Sequence, residues 1–263
     1  MTAVFAHPDD ETYATGATLA RYSAEGVRCS LYCATNGDAG KSSGIPISSG
    51  EELGAIRRVE LKAACGVLGI ERVEFGDHGD GRLGQADEQQ VIGEIVRLIR
   101  RERPDVVLTF GPEGAASEHG DHKAISSLAR RAFECAGSLD EFPEQLMGSV
   151  RPHQARRLCF VTWPAPQPSD LYQVAGQPAH VRIDARHWNG KKLEAYLTHR
   201  SQRQHQANFE RYALVDAECY SVAAGVPAPS GAADLFSGLR HPRSRGPAKG
   251  PGRLCHLHRG STG

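Results

Sequence analysis

Residues 2–34 read TAVFAHPDDETYATGATLARYSAEGVRCSLYCA. Thr2 to Ala6 is short and apolar and gives way at once to the polar run His7-Pro8-Asp9-Asp10-Glu11. An apolar run with such an abrupt polar stop predicts a buried strand ending at residue 6 or 7. Gly16-Ala17-Thr18-Leu19-Ala20 opens a helix that reaches about Glu25, Gly26 closes it, and Val27 to Ala34 supplies a second strand. Strand, helix and strand in that order form the unit of a parallel sheet. The expected fold class is therefore α/β: a Rossmann-like, mostly parallel sheet with helices on both faces.

The chain downstream repeats the unit. Residues 36–50 are rich in Gly and Ser and predict a long loop, and Ser49 stands three residues before Glu52, the spacing of a capping box. Leu53, Ile56, Leu61, Ala64 and Leu68 recur at helical spacing before Gly69. Val73 to Phe75 predicts a short strand, followed by a polar turn at Asp77 to Gly81. Val91, Ile95, Leu98 and Ile99 stripe a helix over Glu88–Arg101, and Val106 to Phe110 is the clearest buried strand. A helix from about His122 to Ala136 follows. Beyond Gly137 the pattern loosens into strands at Leu158–Thr162 and Val181–Ile183, a Pro-rich connection at 164–168, and a helix over Asn189–His205. From about Gly225 the composition turns to Pro, Gly, Ser and Arg, with few large apolar groups to offset the entropy of ordering. The expected organisation is one catalytic domain over residues 1–224 and a disordered tail over 225–263.

Composition narrows the class of function. With 31 basic and 31 acidic side chains, the formal net charge is zero, which argues against a general nucleic-acid binder. Seven scattered cysteines, an odd number, read as buried free thiols of a reducing compartment. Cys255, His256 and His258 are too few and too unscaffolded for a strong metal motif. No signal core precedes His7 and no stretch approaches a transmembrane helix, so cytoplasmic residence is expected. A homo-oligomer is compatible with all of this.

The residues able to do chemistry form two clusters, His7-Pro8-Asp9-Asp10-Glu11 and His119-Gly120-Asp121-His122, each just past an apolar strand. In an open α/β sheet that edge is where ligands bind. Taken alone, the first cluster fits a helix-capping Asp as well as catalysis. The second tips the balance, because two imidazoles and a carboxylate with one open position make hydrolytic zinc. His7, Asp10 and His122 would be the ligands, Asp9 the general base, and His119 the group facing a scissile carbonyl, oriented by Asp121. A His/His/Asp set does not exclude Fe2+.

With those residues in place, the chain resembles the zinc-dependent N-acetylglucosaminyl deacetylases, a family that includes the phosphatidylinositol-glycan deacetylase and bacterial thiol-biosynthesis deacetylases. The family's Ala-His-Pro-Asp-Asp-Glu signature stands unchanged at Ala6 to Glu11, and its His-Pro-Asp-His signature appears at His119 to His122 with Gly120 for proline. The resemblance implies metal ligation by His7, Asp10 and His122, a base at Asp9, and oxyanion stabilisation by His119 with Asp121 behind it. Arg57 and Glu60 fit an Arg-x-x-Glu signature, Asp80-Gly81 a polar turn after the third strand, and Lys192 to Gln202 a C-terminal signature. Arg57, Asp80, Lys192 and His199 are the substrate-binding candidates that follow. What the resemblance implies is hydrolysis of the N-acetyl group of an amino sugar or small glycoside, releasing acetate and an amine.

Other accounts fit less well. Asn36 to Ser42 lacks the spacing of a nucleotide-binding P-loop, and His-Pro-Asp-Asp-Glu stands where a nicotinamide enzyme has its Gly-rich fingerprint. Two alternatives stay open at this stage: a metal-dependent amidase on another small polar substrate, and a catalytically silent metal- or sugar-binding protein.

Overall fold

The computed structural model describes residues 1–163 and 174–239. The Pro-rich connection expected at 164–168 and the Cys255, His256 and His258 group lie outside the described residues. In chain order the elements are β1 (Thr2–Phe5), α1 (Asp10–Ala24), β2 (Ser30–Thr35), α2 (Gly50–Leu68), β3 (Arg72–His78), α3 (Glu88–Glu102), β4 (Val106–Phe110) and α4 (Gly120–Cys135). They continue with β5 (Arg157–Thr162), β6 (Val181–Asp184), α5 (Asn189–Tyr196), a 3-10 stretch (Arg200–His205), α6 (Gln206–Tyr212) and β7 (Ala217–Gly225).

The strands form one seven-stranded sheet in the order β3-β2-β1-β4-β5-β7-β6. The first five run parallel, while β7 is antiparallel to both β5 and β6. The order reverses between β1 and β4, so the chain leaves a crevice at their C-terminal ends, the usual ligand position in such sheets. Helices α1, α2 and α5 pack together, and α3 packs with α4. Right-handed crossovers place the two groups on opposite faces, one serving strands left of the switch and the other strands to its right. β1, β2 and β4 are wholly buried because both faces of the sheet are covered. Six cysteines, among them Cys33 and Cys159, are free and buried, as the thiol reading expected.

Four expectations need correction. β3 extends to His78, since Thr35 of β2 pairs with His78 and draws the expected turn residues Asp77 and His78 into the sheet. The helix expected over 189–205 ends at Tyr196; Thr198 Oγ1 donates to the Ala195 carbonyl (2.7 Å) and to the Glu60 carbonyl (3.2 Å), and 3-10 geometry follows. β7 was not anticipated, although Cys219-Tyr220-Ser221-Val222 is a plausible β run. The domain boundary at 224 also fails in its first part. Residues 226–239 pack onto the domain with Leu235 and Leu239 buried, and Arg157 donates to the carbonyls of Val226, Pro227, Leu235 and Ser237. Few large apolar residues suffice here because a buried guanidinium collects four backbone acceptors that would otherwise need water.

Candidate active site

Both signature clusters arrive at the β1/β4 crevice. β1 ends at Phe5 and the chain turns through His7 to Asp9, whose backbone takes φ 111°, ψ −20° before α1 begins. That left-handed conformation is strained for a residue with a side chain and persists only where the surroundings hold it. Three groups do so. Asp9 N–H donates to Glu11 Oε2 (3.0 Å), the Asp9 carbonyl accepts from the amides of Thr12 and Tyr13, and Arg57 reaches Asp9 Oδ2 at 3.2 Å. On the other side β4 leads to His119, which caps α4 by accepting the Asp121 amide on Nδ1 (3.2 Å). α4 therefore starts at Gly120, two residues ahead of the expected position.

The three expected ligands converge. His7 Nδ1 lies 3.2 Å from His122 Nε2, His122 Nε2 lies 3.2 Å from Asp10 Oδ1, and His7 Nδ1 lies 3.5 Å from Asp10 Oδ2. Ligand bonds of about 2.0–2.1 Å in a tetrahedron space donor atoms by about 3.3 Å, the size of the His7–His122 and His122–Asp10 separations, while His7 meets the second oxygen of the Asp10 carboxylate. Asp10 is fixed from behind by the amides of His7 (2.8 Å) and Ala6 (3.2 Å). The far nitrogen of His7, Nε2, faces Asp80 Oδ1 at 3.1 Å and Asp121 Oδ2 at 3.2 Å. A carboxylate behind a ligating imidazole fixes its tautomer and leaves the other nitrogen for the metal, so the donor set fits a divalent ion. Other donor groupings centre on the same histidine: His7, His119 and His122 have ligand atoms within 4.8 Å of one another, as do His7, Asp80 and Asp121. The His122 ring stacks on Phe110 with centroids 4.0 Å apart, and its Nδ1 is buried without a protein partner.

Electrostatics separates the acids. Burial raises the Asp9 carboxyl above its usual range, and Arg57 opposes that only in part. Burial acts the same way on Asp10, but His122 and His7 outweigh it and hold that carboxyl well below the carboxylate range. Burial disfavours a charged His7, yet bonds to Asp10, Asp121 and Asp80 push its value well up. Burial, aided by His7 and His122, lowers His119. The two neighbouring aspartates thus sit in opposite environments: His122 and His7 favour the charged form of Asp10, and burial disfavours that of Asp9.

Several expected roles change. Asp121 does not stand behind the His119 ring; its carboxylate accepts from the amides of Gly81 (2.7 Å) and Leu83 (3.0 Å) and from His7. Asp80, expected at the substrate, also backs His7, and it accepts the Ala39 amide (2.9 Å). Arg57 does not pair with Glu60. It donates to the carbonyls of Pro8 and Gly37 and to Asp9, while Glu60 accepts from the Ser201 amide and hydroxyl. His199 is fully buried behind the site and bonds Glu11 Oε1 at 2.9 Å, because the early end of α5 turns it inward. Lys192 faces a buried carboxylate, Glu218, at 2.7 Å in place of a sugar or phosphate. Glu11 and Glu218 were missed as supporting groups. Glu11 follows the aspartate pair directly and gave a signal; Glu218 lies in the strand that was not anticipated.

A cavity of about 530 Å³ opens on this cluster. Its walls include His7, Asp9, Asp10, His119 and His122 together with residues of β5, β7 and α6.

The family model described as PIG-L, GlcNAc-PI de-N-acetylase, matches residues 2–133. A 1D-myo-inositol 2-acetamido-2-deoxy-alpha-D-glucopyranoside deacetylase of Rhodococcus jostii is 30% identical over 247 residues, covering 80% of this chain and 84% of the relative. A probable N-acetyl-alpha-D-glucosaminyl L-malate deacetylase of Bacillus anthracis is 31% identical over 204 residues, covering 76% of this chain and 79% of the relative. Among solved structures, the N,N'-diacetylchitobiose deacetylase of Pyrococcus horikoshii superposes with a TM-score of 0.68 at 22% identity, covering 84% of this chain and 82% of that one. The 4-carboxy-2-hydroxymuconate hydratase GalB of Pseudomonas putida superposes with a TM-score of 0.71 at 19% identity, covering 88% and 98%. At such identities the superpositions speak for the fold alone. No helix among the described residues is long and apolar enough to cross a membrane.

Proposed function

The chain belongs to the PIG-L family of GlcNAc-PI de-N-acetylases, and from that premise we propose that it hydrolyses the N-acetyl group of an N-acetylglucosamine-type sugar or small glycoside. The observation that carries the proposal is the convergence of His7 Nδ1, His122 Nε2 and the Asp10 carboxylate beside a separate carboxylate, Asp9, that shares the cavity without joining that ligand triangle. A binding protein needs no such extra base, whereas hydrolysis does.

His7, Asp10 and His122 would hold a divalent ion, with zinc favoured by two imidazoles and one carboxylate and Fe2+ compatible with the same set. When bound, the ion supplies Lewis acidity to water and to the amide carbonyl. Asp9 takes the proton of the attacking water, and its desolvated carboxyl has the raised basicity that the task needs. Arg57 and Glu11 keep that carboxylate aimed by pinning the strained backbone beneath it. The His119 tautomer follows from its cap: Nδ1 accepts the Asp121 amide, so a neutral ring carries its hydrogen on Nε2. An Nε2–H donor lining the cavity stabilises negative charge as it develops on the carbonyl oxygen. The C–N bond then breaks, protonated Asp9 returns its proton to the leaving nitrogen, and acetate and a free amine result.

The experiment is an acetate-release screen of metal-loaded protein against N-acetylglucosamine, its simple glycosides, chitobiose-type oligomers and the inositol and malate glycosides. Acetate from at least one is the expected result. A metal-loaded protein that releases none from the panel contradicts the proposal.

A further inference from the structure

The part of the cavity built on β5, β7 and the segment just before β7 has its own character. β4, β5 and β7 are neighbours in the sheet, so the two steps from Phe110 to Cys219 span roughly 10 Å at the usual strand spacing. That width accommodates a second ring beside the sugar. The wall there is built by Val161, Trp163, Ala213, Val215, Ala217 and Cys219.

Polar groups on this wall are already engaged with protein. Thr162 Oγ1 donates to the Gln177 carbonyl at 2.6 Å, Trp163 Nε1 to the Val174 carbonyl at 2.9 Å, and Cys219 Sγ to the Ala217 carbonyl at 3.8 Å. Lys192 is held by Glu218, whose carboxylate also accepts the amides of Ala17 (3.1 Å) and Thr18 (2.7 Å) and the Tyr220 hydroxyl (3.3 Å). Arg57, the other Lys or Arg among the described lining residues, is taken up by Pro8, Gly37 and Asp9. His205 and Asn208 line the cavity too, but both are exposed and form its outer rim.

We propose that this wall is an aglycone subsite for an uncharged apolar or aromatic group, so that the substrate class is an N-acetylglucosaminide of an apolar alcohol or phenol. The proposal rests on the deacetylase reading above and deepens it. A malyl group brings carboxylates that need a cation, and an inositol brings a ring of hydroxyls that need partners. This wall supplies neither, and burying such groups against it leaves their hydrogen bonds unmade. An aryl or alkyl group loses nothing there and removes apolar surface from water.

The test compares kcat/KM for the phenyl, inosityl and malyl N-acetylglucosaminides, both anomers of each, in the metal-loaded parent and in V215R. Val215 is half-buried on the wall and is engaged through its backbone alone, the amide donating to the Ala213 carbonyl (3.1 Å) and the carbonyl accepting from Asn189 (3.0 Å), so an arginine there adds a cation without removing a side-chain bond. The parent is expected to favour the phenyl glycoside over the other two by about 10-fold or more. V215R is expected to shift the malyl-to-phenyl ratio toward malyl by about 10-fold and leave the inosityl-to-phenyl ratio in place. Equal or better turnover of malyl or inosityl glycosides by the parent overturns the subsite, as does a malyl-to-phenyl ratio unchanged in V215R. If no glycoside releases acetate, the deacetylase reading fails by itself, and calorimetry with the free-amine phenyl and malyl glucosaminides then decides the subsite. Tighter binding of the phenyl compound supports it, and equal or weaker binding overturns it.

Discussion

Replacing Lys192 by methionine separates a structural lysine from a substrate-binding one. Its ammonium lies 2.7 Å from Glu218 Oε1, with side-chain exposures of 1% and 3%. The stem packs on Gly16, where an added Cβ would stand 2.8 Å from Lys192 Cγ, so methionine keeps the contact and removes only the charge. Breaking a buried pair from one side costs about 3–5 kcal/mol, because the remaining charge is left uncompensated. Glu218 keeps three donors, the amides of Ala17 and Thr18 and the Tyr220 hydroxyl, which puts K192M near the lower end, about 3 kcal/mol. For a domain of this size that is a fall in Tm of about 6–12 °C. Urea unfolding of the parent, K192M, E218Q and K192M/E218Q forms the assay. The double variant, with no charge left buried, is expected to recover much of the loss, giving a coupling of 0.5–3 kcal/mol, roughly the range for residues in contact. A K192M protein within about 0.5 kcal/mol of the parent would refute the buried pair, since that is the usual scale of an inconsequential surface change.

Three further outcomes follow from the packing and the site. R57K keeps the charge but cannot reach the Pro8 and Gly37 carbonyls and Asp9 together, so turnover should fall about 10–100-fold while metal content, read by elemental analysis, stays at the parental level. A chain ending at Gly225 removes the Arg157 acceptors and buried Leu235 and Leu239, so thermal denaturation should show a loss of at least 2–5 kcal/mol, roughly that of one large core truncation. Glu94 accepts from Tyr32 (2.6 Å), Gln90 (3.1 Å) and His78 (3.0 Å), and although burial opposes ionisation these bonds hold its carboxyl below the usual value. Because the folded value lies below the unfolded one, about 4.3, the stabilisation is present above that pH and disappears as pH falls through the folded value. The stability gap between the parent and E94Q, measured by urea titration at successive pH values, should therefore close below about pH 4 and stay constant above about pH 5.

The centre of the parallel half was legible because β1, β2 and β4 are buried on both faces and bounded by polar residues. TAVFA, SLYCAT and VVLTF have no competing helical period, and their order alone implies the crossover geometry. The two clusters were legible for a related reason: local spacing put His7 and Asp10, and His119 and His122, just past strand ends. What local spacing does not carry is the direction of a side chain relative to a distant element. Asp121 was expected behind His119, two residues away, yet it supports His7, more than a hundred residues away, because the α4 cap turns the carboxylate toward the Gly81 and Leu83 amides. Lys192 sits on a short helix whose end no Gly or Pro marks and His199 lies just beyond that end, so the inward turn to Glu218 and Glu11 had no signature. β7 and residues 226–239 depend on Arg157, a charged residue in a strand, collecting carbonyls from a segment about seventy residues later.

The division of labour between the adjacent aspartates is tested most directly by D9N, assayed for metal content and acetate release on the best glycoside of the screen, with H122A alongside. Asp9 lies outside the ligand triangle, so D9N should keep the divalent ion at the parental level and lose about 10²-fold or more in turnover, the scale of a missing acid–base group. H122A should lose both ion and turnover. A D9N protein with full metal content that released acetate at the parental rate would contradict the assignment of Asp9 as the base.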